Sequence, residues 1–324
     1  MRIIGISSNY HNMTIITRTF SRRLSAIALT LLTAALVSPT AGLKASLVDL
    51  GQAGQFTMLA LTGGIDDSGP LGPQSNPNSV DGPVGVASDS QKFQASGSVQ
   101  YNGPIYLHSN DTFNSSAPGV PQPTMGSSVD SMLAQAKTDA FNASTFASGL
   151  AATATYGTIN NNLTITEHSV GNYVFNIQNI NFSGGKTLTL NAPGGSNYVL
   201  NISGSLVLTF GSINVAGGLS PANVLINYTG TNVVQFSGGG NSSQIYGTIL
   251  APNAEVGLHP GLVVGSVIAG SITMSSGANV VPVPEVTPSS VIFGFLGLIV
   301  AVSSRRALMG QVRAVAARRK TRLD

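Results

Sequence analysis

An asparagine returns in the same apolar setting three times along the chain, in YVFNI (173–177), YVLNIS (198–203) and VLINYT (224–229). Asn176 and Asn201 are 25 residues apart, and Asn201 and Asn227 are 26 apart. Two looser copies follow in IYGTIL (245–250) and GSVIAG (265–270), about 20 to 22 residues apart. A period of this size, with several short β-prone runs in each copy, predicts a solenoid of stacked coils. Within one period YVLNIS (198–203), LVLTF (206–210) and INVAG (213–217) read as three strands separated by Gly, Ser and Asn, which describes a triangular coil. A β-sandwich of short strands is the alternative, because strands every 8–12 residues fit it as well. The repeated Asn176, Asn201 and Asn227 are placed to stack as an amide ladder, each amide satisfying the next.

Composition narrows the core and the partners. Aromatic residues are 6%, Trp and Cys are absent and Gly numbers 38 of 324 residues, a profile of small, repetitive β-packing. Without Cys there is no disulfide, thiolate metal site or cysteine nucleophile. Four of the 15 basic residues precede position 40 and seven follow position 300. From position 40 to Val281 the chain holds four lysines and no arginine against ten acidic residues, a net charge of −6, so this body has no basic patch for nucleic acid.

The N-terminus reads as a secretory signal, residues 1–45. Arg18, Arg22 and Arg23 precede an apolar stretch at 24–37, too short for a comfortable membrane span, with cleavage after Gly42 or Ala45 and Met13 as a second possible start. Asp66, Asp67 and Asp81, in a Gly/Pro/Asn-rich stretch, are candidate calcium ligands, but their spacing fits no known loop and solvated turn residues are the expectation. PGVPQPTMG (118–126) reads as a linker. One helix is expected at about 128–152, opened by a Ser127/Asp130 capping box. Its stripe of Leu133, Ala136, Ala140, Ala143, Ala147 and Leu150, widened by Met132, Phe141 and Phe146, would lie against the solenoid wall.

At the C-terminus, VPVPEVTPSS (281–290) is extended, an apolar helix is expected at about 289–304, and Arg305 and Arg306 stop it. This order resembles the PEP-CTERM sorting signal of Gram-negative bacteria, with Val283, Pro284 and Glu285 as the motif and Val286 standing where a second Pro is usual. The resemblance implies export, transient anchoring in the inner membrane, cutting by an exosortase-type enzyme, and delivery to the cell surface or extracellular matrix. The body, 46–281, with FTMLALTGGI (56–65) and GTILAPNAEV (247–256), resembles the ice-binding-like and choice-of-anchor A adhesive domains. That resemblance implies a mainly β fold, a right-handed parallel β-helix with one long α-helix packed along it.

Three functions follow. The first is a non-catalytic surface or matrix protein, adhesive or structural, that touches extracellular polysaccharide. The second is ice binding, for which TLTL (187–190), LTIT (163–166) and SITM (271–274) offer threonines, although the repeated cores carry Asn where a threonine ladder would stand. The third is a polysaccharide-active enzyme. Between Tyr156 and Val281 its only acids are Glu167 and Glu255, 88 residues apart and each near a histidine, His168 and His259. No cofactor, metal site or catalytic residue is assigned.

Overall fold

The computed structural model describes residues 47–71, 76–238 and 243–283. The expected signal peptide and membrane helix, with Pro284, Glu285, Arg305 and Arg306, lie outside the described residues, and Val283 is the last residue within them. The asparagine period becomes one turn of a coil. Asn176 pairs with Asn201, and Asn201 with Asn227, on adjacent parallel strands. The next two rungs are Leu250 and Ile268, so the later coils are shorter by several residues. Ladders between coils are parallel throughout, as at the two ends and the middle of the stack, which excludes the antiparallel sandwich.

Each coil has three sides, as the triangular reading expects, but in several coils two of the sides share one strand. Asn172–Ser183 and Asn197–Thr209 each run round a corner, with a register shift between Ile177 and Asn179 that makes the bend. The third side is a separate sheet of eight short strands, from Leu163–Thr166 at one end to Val99–Tyr101 at the other. Interior rows are mostly apolar and in register: Phe182, Leu208, Phe236, Leu258 and Met274 stack coil upon coil.

The coils are not stacked in sequence order. Met58–Ala60 pairs with Val267–Ala269 of the last coil, and Val84–Val86 and Ile105–Leu107 follow outward from it. Having built one end first, the chain must return to the far end before Ala154–Ile159 can start the remaining coils. Helix α1 (Ser127–Ser148) makes that return; its 22 residues reach about 33 Å, against about 38 Å for the nine strands it crosses. Leu133, Ala136, Ala140, Ala143 and Ala147 are buried against Leu59, Val174, Val199, Leu225, Leu250 and Ile268, as the stripe predicts. Small side chains let a helix lie close on a flat wall.

Three details of α1 differ from expectation. The helix ends at Ser148, and Leu150 packs against the same cluster beyond it. Phe146 is 55% exposed and does not widen the stripe. No capping box forms: Gly126 is the N-cap, and the Asp130 carboxylate instead accepts from Ser109 N and Ser109 Oγ at 2.9 and 2.7 Å. The proline-rich 118–126 segment is more than a linker. Thr124 bridges to Tyr106 and Ala117 and Val120 pack on the core, so a segment that proline keeps from extending the sheet closes that end.

Asp67 also departs from the reading as a solvated turn residue. It lies in a strand between Met274 and Ala95 of an interior row and is fully buried, while Asp66 points outward, so the two cannot share an ion. Its oxygens accept from Asn78 Nδ2 and, at 2.7 Å, from Tyr101 OH. Asn78 Oδ1 in turn accepts from Gly277 N and Ala278 N, joining the N-terminal coils to the last one. Burial raises the Asp67 pKa to about 6, with the two hydrogen bonds pulling down. A carboxyl whose folded pKa exceeds its unfolded value stabilises most when protonated, and the contribution falls as pH rises from about 4 to about 6. The loss from this group is about 3 kcal/mol. Asp67→Asn should remove that slope and raise the midpoint of denaturant unfolding at neutral pH, because Tyr101 OH can turn to accept from the new amide. Equal pH slopes in the two proteins would contradict it.

Candidate functional site

A stack of three-sided coils offers partners its sides, and α1 covers one of them. The asparagine ladder lies on this covered side. Asn227 Nδ2 donates to Asn201 Oδ1 at 2.8 Å and to Ser144 O at 3.1 Å, while Ser144 Oγ donates to Asn227 Oδ1 at 2.6 Å. Asn201 Nδ2 donates to Ala147 O at 2.9 Å and to Asn176 Oδ1 at 3.3 Å. The stacked amides of the sequence reading are present, and they dock the C-terminal turn of α1. Their absence of threonine therefore says nothing about an exposed side, which removes the argument drawn from them against ice binding.

The second side carries charge. Its central outward row runs Asn181, Val207, Gln235, Gly257, Thr273, Asp66, Gln94 and Asn114, one residue per coil. Beside it lie Lys92, Glu255 and His259. Glu255 and His259 are joined through one hydroxyl: Thr273 Oγ1 lies 2.9 Å from Glu255 Oε1 and 3.1 Å from His259 Nε2, and His259 Nδ1 lies 2.9 Å from Ser275 Oγ. Burial lowers the His259 pKa, and Glu255 acts against it. Glu167 follows a strand of the other sheet, at the end of the stack where Leu163–Thr166 lies, and the structure does not bring it to Glu255. Among the described residues no three acidic, His or Cys side chains are grouped to hold a metal.

The third side differs in kind. None of its eight strands contains Asp, Glu, Lys, Arg or His. One outward row reads Thr187, Ser212, Gln244, Leu262, Asn279, Ser79 and Gln100 in unbroken register. A second holds Thr164, Thr189 and Asn214, then Tyr246, Val264 and Val281. Most are half-buried by their neighbours, and Thr187 Oγ1 is 3.0 Å from Ser212 Oγ. Two of the three threonine motifs found in the sequence, LTIT and TLTL, belong here; SITM lies on the charged side. A repeat-based reading missed this surface because its strands of three to five residues carry no recurring residue type.

The tail motif can be placed only at Val283, which is half-buried. Among the described residues no helix is long and apolar enough to cross a membrane.

No curated protein sequence matches the chain. Among solved structures it is similar to an ice-binding protein of the Antarctic ascomycete Antarctomyces psychrotrophicus, with 19% identity, a TM-score of 0.46, and coverage of 74% of this chain and 98% of that one. It is also similar to an antifreeze ice-binding protein of an Arctic yeast (17%, 0.48, 76% and 96%) and to an ice-binding protein of an Antarctic Flavobacteriaceae bacterium (19%, 0.48, 74% and 48%). Likeness at this level assigns no activity. The sequence model of the ice-binding-like adhesive domain matches residues 49–280, more than two thirds of the chain, and on that match the protein belongs to the ice-binding-like adhesive domain family.

Proposed function

We propose that the domain binds ice through the outward side of the eight-stranded sheet. The observation that carries this is the absence of every ionisable acid and base from the strands of that side, while the other exposed side holds Asp66, Lys92, Glu255 and His259. Ice is an uncharged, regular surface, and a charged side chain must give up its hydration to meet it at a cost the lattice does not repay. Stacked coils present groups at a strand spacing of about 4.8 Å, a regularity that suits a crystal. Membership of an ice-binding-like family supports the same reading. Ice recrystallisation in the presence of the purified chain tests it: arrested grain growth supports ice binding, and growth at the buffer rate contradicts it.

The family description is also adhesive, and the second side favours a role of that kind, with Asn181, Gln235, Gln94 and Asn114 in one outward row as a multivalent amide surface for polysaccharide. In both readings the protein is non-catalytic and exported, its coils right-handed, with the tail of Val283, Pro284, Glu285 and the arginines directing exosortase-type sorting from the inner membrane to the surface. Deleting residues 282–324 should abolish surface retention of the protein in cells. Retention at the surface without them would contradict the sorting role.

A further inference from the structure

At the corner between the helix-covered side and the charged side, beside the last turn of α1, a cleft of about 410 Å³ opens. It is lined by Ser148 of α1 and by Thr155, Asn176, Gln178, Ser203 and Thr229, drawn from four successive coils. No Asp, Glu, Lys, Arg or His lines it. From the geometry we infer that this cleft is a binding site for a neutral saccharide, a short run of uncharged sugar units lying along the stack.

The chemistry of the lining selects that class. Amides and hydroxyls both donate and accept, which matches the alternating demands of sugar hydroxyls. A phosphate, sulfate or carboxylate would find no cation there, and a metal ion no carboxylate. The volume falls in the range of small-molecule sites, and the cleft is concave where an ice-binding surface is open.

Preorganisation comes from the asparagine ladder. Asn201 is fixed by its bonds to Ala147 O and Asn176 Oδ1, so the Asn176 amide is held by its oxygen. Its nitrogen has no partner among the described residues, and Asn176 is one of the residues that line the cleft. Thr155 pairs in register with Asn176 and continues the row to the edge of the stack. Four coils span about 14 Å, so groups repeating every strand can meet a glycan whose units advance by a similar step. Gly157 keeps the near end open: a side-chain carbon there would meet nothing within 4 Å.

Titration calorimetry tests the site on the full chain, kept in a detergent with no sugar headgroup. The probes are maltotriose, cellotriose and mannotriose, with a uronic-acid trisaccharide as the charged control. At least one neutral probe should bind saturably and the charged control should not. Gly157→Phe, which has room to fold, should weaken binding about tenfold or more by filling the cleft. Gln178→Ala alters one exposed side chain and should weaken it about threefold. Should Gly157→Phe misfold, Gln178→Ala carries the test. Val264→Lys, on the eight-stranded side, should leave sugar binding unchanged, which separates this site from the ice reading. The inference is overturned by no saturable binding of any neutral probe, by preference for the charged sugar, or by affinity that neither cleft substitution changes.

Discussion

Asn227→Ala lowers the stability of the domain by about 4 kcal/mol and frees the end of α1 first. The side chain is fully buried and makes three hydrogen bonds, two to Ser144 and one to Asn201. Truncation leaves Ser144 Oγ, Ser144 O and Asn201 Oδ1 under cover with a partner lost, at about 1–3 kcal/mol each less whatever relaxation and water recover. Asn176→Ala is the control. Asn176 is the half-buried last rung and accepts one long bond, so its loss costs about 1 kcal/mol or less. Denaturant unfolding measures both values, and amide exchange locates the effect: residues 144–148 should lose protection in Asn227→Ala while the interior strands keep theirs. Equal costs for the two substitutions would mean that the ladder does not dock the helix.

That ladder shows how far the sequence alone leads. Three asparagines at 25 and 26 residues announced the coil because one turn brings each onto the next, and the alanines of α1 announced a helix against a flat wall. Which side the ladder occupies was not legible, since strands buried on both faces alternate between core and helix contacts with apolar residues in both places. The discontinuous order was missed for another reason. The N-terminal strands are only three to five residues long, and their partners in the last coil lie about 200 residues away. A signal did exist: Gly82-Pro83 and Gly103-Pro104 recur after 21 residues, and Val84 and Ile105 behind them pair in register. The two glycines stack, and a side-chain carbon on Gly103 would sit 2.2 Å from Gly82 O, so the repeat marks one coil on the next. Asp67 was misread because a Gly/Pro-rich neighbourhood suggests a turn, whereas the tertiary fold places it in an interior row.

The functional surface was the least legible part, because it is defined by what its strands lack. Eight strands without an acid or base are scattered from position 78 to position 281, and only the stack assembles them into one side. Charge introduced there should have a large effect. Val264 lies mid-side, half-buried between Tyr246 and Val281 of neighbouring strands. Lysine at this position leaves the fold intact by reaching outward with its ammonium, and it brings to the contact a hydrated charge that ice cannot solvate. Gln235, exposed at the middle of the charged side, is the matched position for the same change.

Ice recrystallisation inhibition by the wild-type protein, Val264→Lys and Gln235→Lys is the decisive measurement of whether the eight-stranded side binds ice. If ice is bound on the eight-stranded side, the wild type arrests grain growth, Val264→Lys needs at least about tenfold more protein for the same effect, and Gln235→Lys matches the wild type within about twofold. No inhibition by the wild type, or loss on Gln235→Lys with Val264→Lys unimpaired, would contradict ice binding by that side.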